Sequence, residues 1–145
     1  MITIIQRVSQ AQVHIAGSEV GCIGRGIMAL VAVEKLDTEK SARRLFERIL
    51  NYRIFPDAEG RMNLNLQAIE GGLLLIPQFT LAADTQSGNR PSFTAAATPE
   101  HGRAIFDYFV AHAKEHYGQV ELGQFGADMQ VALINDGPVT FTLKV

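Results

Sequence analysis

A chain of 145 residues, 47% hydrophobic and 19% charged, has the length of one domain and enough apolar mass to bury a core without staples. Its formal net charge of −2 gives no global field for a polyanion, its longest apolar runs (27–33 and 72–76) are too short for a bilayer helix, and its one cysteine, Cys22, excludes an internal disulfide or a thiolate metal cluster. Arg7 and polar neighbours interrupt the N-terminal apolar stretch, so no signal peptide is expected and the cytoplasm is the default location.

The first element is a strand over Ile2 to Val8, continued by alternating Ala11, Val13 and Ile15. Gly17-Ser18 signals a turn, and a strand resumes from Val20 to Ile23, with Cys22 expected as a small core residue. The glycine-rich run Gly21 to Gly26 has neither Rossmann nor P-loop order, because it leads into a strand; it reads as a hairpin turn. Ile27 to Val33 is uniformly apolar, as in a strand buried on both faces.

Thr38 is placed to cap a helix running to about Tyr52. Ala42, Leu45, Phe46, Ile49 and Leu50 share its inner face, while Arg43, Arg44, Glu47 and Arg48 look outward. Residues 54–65 read as irregular, with a turn over Pro56 to Gly60. Gly71-Gly72 introduces a buried strand, Leu73 to Phe79. A loop from Ala82 to Ala97 follows, including Ser87-Gly88-Asn89-Arg90-Pro91; loops of this length in compact domains are often functional.

Thr98-Pro99-Glu100 starts a second helix, with Ile105, Tyr108, Phe109, His112 and His116 recurring at helical spacing to about Tyr117. Strands near 119–122, 128–134 and 139–144 close the chain. Between the last two lies Asn135-Asp136-Gly137-Pro138, which reads as a tight turn able to present carbonyls outward; its X-Pro bond has access to the cis form. The order strands, helix, strand, helix, strands predicts one α+β domain over residues 1–145: two main helices covering a largely antiparallel sheet or a partly closed β-barrel.

Chemistry is sparse. His112 and His116 have a zinc-like spacing but no third ligand, and His14 and His101 look incidental, so no metal is expected. Arg43, Arg44, Arg48, Arg53, Arg61 and Arg90 are the candidates for a local basic patch. Thr80, in Pro77-Gln78-Phe79-Thr80-Leu81, is the one nucleophile candidate, at the end of a buried strand. No His or Lys nearby would activate it, and a hydroxyl there equally serves to satisfy backbone groups.

Taken together, Pro77 to Thr85, Arg90-Pro91-Ser92-Phe93, Asp128-Met129-Gln130-Val131 and Asn135 to Thr140 closely resemble D-aminoacyl-tRNA deacylases. Ile5-Gln6-Arg7-Val8, Val33-Glu34-Lys35 and Met62-Asn63-Leu64-Asn65 match as well, in the expected order across the whole chain. The resemblance implies hydrolysis of the ester joining a D-amino acid to the tRNA 3′ end, and of glycine mischarged onto tRNA(Ala), by a cytoplasmic homodimer without metal or cofactor. It implies aminoacyl-tRNA and a second copy as partners, and neither membrane nor DNA. It also implies that Gly137-Pro138 carries a cis peptide and enters the partner's pocket, sorting handedness by excluding the L side chain. Gln78, Phe79 and Thr80 would line the ester side, with backbone N–H groups stabilising the oxyanion. Water, assisted by the ribose 2′-hydroxyl, would attack. Arg7 would buttress the Gly-Pro turn through carbonyl hydrogen bonds, and Met129 would line the pocket.

The chain departs from the family at one position, where Pro77 stands in place of the usual Ser. Activity is expected to persist if the backbone of Phe79 and Thr80 does the chemistry. Otherwise the alternative is a catalytically weak protein that binds an amino acid or an RNA end. A hydrolase or deaminase of free metabolites is the further rival.

Overall fold

Strand β1 (Ile2–Ile15) is the spine of the molecule. In this computed structural model, which describes residues 1–86 and 88–145, strand β8 (Gln130–Lys144) runs antiparallel along the whole of one edge of β1. The other edge is shared by β2 (Ser18–Ile23), against the second half of β1, and β3 (Gly26–Ala32), against the first half. Beyond β3 come β6 (Gly72–Pro77) and β7 (Val120–Leu122), both added in parallel. The sheet curls until β2 meets β7, where the backbone of Gly21 lies against that of Leu122. The result is a mixed, nearly closed barrel with two helices, as the sequence leads one to expect, antiparallel around β1 and parallel beyond β3.

Helix α1 (Glu39–Asn51) begins after Thr38, whose N–H donates to Ser41 Oγ at 3.2 Å, and buries the five expected residues Ala42, Leu45, Phe46, Ile49 and Leu50. Helix α2 (Pro99–His116) begins with Thr98 Oγ1 accepting from the His101 N–H at 3.3 Å. Its Ile105, Phe106, Phe109 and Ala113 join the same core, where Phe46 meets Phe109 edge to face at 6.5 Å. Each of these buried Leu, Ile and Phe side chains contributes about 1.5–3 kcal/mol over an exposed one. Neither these helices nor any other among the described residues is long and apolar enough to cross a membrane.

Several sequence expectations are corrected. The run Gly21 to Gly26 is not a turn: Ala11 faces Ile23 and Val8 faces Gly26 in one continuous register, so β2 and β3 form a single arm bent at 24–25. The glycine serves close approach instead, since a Cβ on Gly26 would lie 1.9 Å from the Gly72 carbonyl oxygen across the β3–β6 pair. Residues 54–65 are not irregular; Phe55–Pro56 (β4) and Met62–Leu64 (β5) pair as a short hairpin around the expected turn. Cys22 is exposed, not core, because strand alternation buries Gly21 and Ile23 on one face and turns Cys22 to the other. The hydrogen bond its S–H donates to the Glu19 carboxylate, and that residue's charge, push the thiol above the usual range.

Two more corrections bear on the site. Strand β6 stops at Pro77, so Phe79 belongs to a 3₁₀ turn, Phe79–Ala82, and not to the strand. Asn135 to Pro138 is not a chain reversal. Gln6 faces Thr140 and Val8 faces Asn135, so the four residues 136–139 of β8 bulge out opposite Arg7 alone, and pairing with β1 resumes in the same direction. Ser87, within the expected long loop, lies outside the described residues.

Candidate active site

At the end of β6 the chain turns sharply. The Gln78 N–H donates to the Val31 carbonyl at 2.7 Å, and the Leu81 N–H donates back to the Gln78 carbonyl at 3.2 Å. A 3₁₀ turn leaves the N–H groups of its first residues without partners inside the turn, here those of Phe79 and Thr80. Gln78 Nε2 donates to Thr80 Oγ1 at 2.5 Å, so the hydroxyl oxygen is held by an amide, with no His, Lys or carboxylate hydrogen-bonded to it among the described residues.

Beside this turn lies a cavity of about 270 Å³, lined by Gln78 and Phe79 on one side and by Phe106, Phe125 and Gly126 on the other. The N-terminus of α2, through Pro99 and Gly102, supplies a wall between them. The phenyl ring of Phe79 is 57% exposed at the mouth, with the ring of Phe93 at 5.1 Å. Phe93 is held there by the paired backbones of Asp84 and Ser92, which exchange hydrogen bonds of 2.7 and 3.1 Å. Met129 sits across Gly123 from Pro77: a Cβ on Gly123 would be 2.8 Å from Met129 Sδ and 3.5 Å from Pro77 Cδ.

The second part of the expected site lies elsewhere. The Gly137-Pro138 peptide is cis, and Gly137, with φ of +146°, holds a conformation open to glycine, where a Cβ would also meet Val139 at 2.6 Å. Both residues are exposed at the tip of the bulge. Arg7 Nε donates to the Asp136 carbonyl at 3.0 Å and pairs with Asp136 Oδ2 at the same distance, while its Nη1 donates to the Ile54 carbonyl at 2.7 Å. Strands β1 and β3 separate this bulge from β6, so one chain brings Gln78, Phe79 and Thr80 together, sets Met129 beside Gly123 and not among the residues lining the cavity, and leaves Arg7, Gly137 and Pro138 apart from them.

Sequence reasoning missed Phe106 and Phe125 as walls of the cavity, Phe93 as the ring beside Phe79, and Asn135 as a bracing residue. The phenylalanines come from three separate segments, and no local pattern announces their convergence. The metal question stands differently from its sequence form, because Glu115 joins His112 and His116 with donor atoms within 4.8 Å of one another. That group lies toward the far end of α2 from Pro99 and Gly102, outside the cavity. Burial and the neighbouring His116 hold the His112 imidazole below its usual range.

In class, the chain is an α+β fold on a barrel-like mixed sheet with a cavity walled in part by aromatic rings. The family model described as D-Tyr-tRNA(Tyr) deacylase matches residues 4–144. Relatives described as D-aminoacyl-tRNA deacylase include one from Azotobacter vinelandii, 58% identical with 99% of both chains covered, and one from Cupriavidus taiwanensis, 56% identical over 100% of this chain and 98% of its own. Among solved structures, the one described as c-Myc DNA unwinding element binding protein superposes with a TM-score of 0.95 at 34% identity, covering 100% of this chain and 99% of its own. Another, described as a probable eukaryotic D-amino acid tRNA deacylase, shares the fold with a TM-score of 0.86 at 18% identity, over 99% and 98% of the two chains. The chain belongs to the D-Tyr-tRNA(Tyr) deacylase family.

Proposed function

We propose that this chain hydrolyses the ester between a D-amino acid, or glycine on tRNA(Ala), and the 3′ ribose of tRNA, working in the cytoplasm as a homodimer. In this reading Gly137 and Pro138 of one copy close over the Gln78–Thr80 turn of the other. One observation carries it: the Gly137-Pro138 bulge and the open cavity are both exposed, and two strands of the same chain stand between them. Neighbouring strands are about 4.8 Å apart, so a bulge three spacings from β6 serves another copy's cavity more readily than its own.

The chemistry follows from the groups present. Aromatic walls suit the flat face of the terminal base, whose stacking contributes about 1–3 kcal/mol. The ester carbonyl then lies at the Phe79 and Thr80 amides. Water attacks the carbonyl carbon, assisted by the ribose 2′-hydroxyl, and the oxyanion is held by those two N–H groups, each worth about 3–4 kcal/mol in comparable acyl transfers. The tetrahedral intermediate expels the ribose 3′-oxygen, which takes the proton lost by the water, leaving free tRNA and the amino acid. Bulge carbonyls accept from the substrate ammonium. With ammonium and ester both fixed, an L side chain would run into the bulge, a D side chain would point away, and glycine has none to exclude.

Single-turnover hydrolysis of D-tyrosyl-, L-tyrosyl- and glycyl-tRNA(Ala) tests this. The D ester and the glycyl ester should be cleaved and the L ester spared; if all three survive, the proposal fails. Pro77 favours a second reading, a weak binder of an amino acid or RNA end, which retained esters together with measurable binding would support.

A further inference from the structure

The bulge on β8 has two arms and needs two braces. Arg7 braces the first arm through the Asp136 carbonyl. The second arm is held by a residue outside the expected site. Asn135 Nδ2 donates to the Arg7 carbonyl at 3.0 Å and to the Val139 carbonyl at 3.1 Å. A carboxamide carries two N–H donors on that nitrogen, and both are used. One takes up the β1 carbonyl at the register where β8 has left the ladder; the other holds the carbonyl immediately after Pro138. Asn135 is half-buried, whereas the Gly137 and Pro138 it brackets are exposed.

We infer that Asn135 is the positioning residue for stereoselection: its amide clamps Arg7 to Val139 and so fixes where Gly137 and Pro138 stand relative to the substrate. The inference rests on the proposed function, because it gives Asn135 its consequence through that bulge. A carbonyl wall excludes an L side chain only if it cannot yield, and without the clamp the Val139 arm is free to move outward while Arg7 still holds Asp136. Selectivity should therefore fall before hydrolysis does. Among the described residues no other side chain spans the same two carbonyls. Replacing the amide by a carboxylate, as in Asn135→Asp, would keep the shape and remove both donors at neutral pH.

The test compares the wild type with Asn135→Ala and Asn135→Asp, using kcat/KM on D- and L-tyrosyl-tRNA(Tyr), thermal midpoints, and amide hydrogen exchange across 136–140. Loss of two neutral hydrogen bonds is expected to lower the D-to-L ratio by about tenfold or more, with the L ester gaining and exchange accelerating at 139 and 140. A ratio within about twofold of wild type in a folded variant overturns the inference, since the clamp would then not set selectivity. Equal loss on both esters, with a lowered thermal midpoint, overturns it in favour of a purely structural role. Should Asn135→Ala not fold, the same-shaped Asn135→Asp decides, and unchanged exchange at 139 and 140 in that variant refutes the clamp without reference to activity. A wild type that fails to prefer the D ester defeats the proposed function instead, which separates the two failures.

Discussion

Gln78 Nε2 stands 2.5 Å from Thr80 Oγ1, and this contact assigns the Thr80 hydroxyl oxygen the part of an acceptor. An attacking alcohol needs a base to take its proton, and none of the described residues is placed to do so. In the proposed mechanism the turn acts through its main chain, where Phe79 and Thr80 offer N–H groups that the 3₁₀ geometry leaves unpaired within the turn. Thr80→Val, which keeps shape and backbone, should therefore cost no more than about tenfold in single-turnover rate, the scale of one lost hydrogen bond. A loss of about a thousandfold or more would restore the hydroxyl as a direct participant, since that is the scale of removing a nucleophile's partner.

Pro77 bears on the same turn from the other side. It ends β6, and the next N–H, that of Gln78, makes the bond to Val31 that begins the turn. The ring fixes φ before the two donors and leaves them free, so the missing hydroxyl and N–H fall outside the proposed oxyanion contacts. Pro77→Ser should change the deacylation rate by about threefold or less, within the range of an outer hydrogen bond. A gain of about a hundredfold would show that the family's serine takes part in the chemical step.

Arg7 is the brace of the first arm, and its guanidinium joins two carbonyls from distant segments, Asp136 and Ile54. The pairing with the Asp136 carboxylate is the weaker part, because that side chain is 46% exposed and its charge is screened by water. Arg7→Ala should destabilise by about 1–3 kcal/mol through two half-buried carbonyls left without donors, and should depress D-ester turnover. Asp136→Ala, which keeps the backbone carbonyl, should stay within about 0.5 kcal/mol of wild type. Equal effects of the two changes on the urea midpoint would show that the ion pair, not the carbonyl bonds, does the bracing.

The parts of this fold that sequence made legible are those with local causes. In α1 the apolar residues Ala42, Leu45, Phe46, Ile49 and Leu50 repeat at helical spacing, Thr38 precedes them, and the helix forms there with that face buried. The Asn135–Thr140 segment was opaque for the converse reason. Gly-Pro after Asn-Asp looks like a local reversal, yet the segment's conformation is set by its ladder with β1, at the opposite end of the chain. Gly26 is a similar case: its composition suggests a turn, and its cause is the backbone of Gly72 in a parallel neighbour. The site was half legible, because Gln78, Phe79 and Thr80 are contiguous, whereas the cavity wall opposite them comes from α2 and the loop after β7.

That close approach gives a stability test independent of function. A methyl group on Gly26 would sit 1.9 Å from the Gly72 oxygen, with backbone on both sides and no flexible side chain to yield. Gly26→Ala must therefore part β3 from β6, at a cost of about 3 kcal/mol or more, the upper range for overpacking. Gly24→Ala, two residues away in the bend with open space around it, should cost under about 1 kcal/mol. Chemical denaturation of the two variants side by side checks the contrast, and a Gly26→Ala midpoint matching that of Gly24→Ala would mean the two strands are not pressed together.

The histidine pair on α2 sets an acid limit on stability. His112 stacks on Tyr108 at 6.2 Å, meets Phe46 edge on, and has His116 at 4.1 Å between ring centroids. Burial disfavours its charged form most, the His116 and Arg43 charges add to this, and Glu115 and Glu47 oppose it. Its folded-state pKa is thus depressed below the value of about 6.5 expected in the unfolded chain. For a depressed base the neutral form is the one the fold prefers, so the contribution is complete above the unfolded pKa and is lost as pH falls through the folded one. Thermal midpoints should decline as pH drops below about 6.5, and His112→Gln should flatten that decline while leaving the midpoint at pH 8 little changed. A wild-type profile flat from pH 7 to about 5, the window in which an unpaired imidazole charges, would show that α1 and α2 accept the imidazolium at no cost.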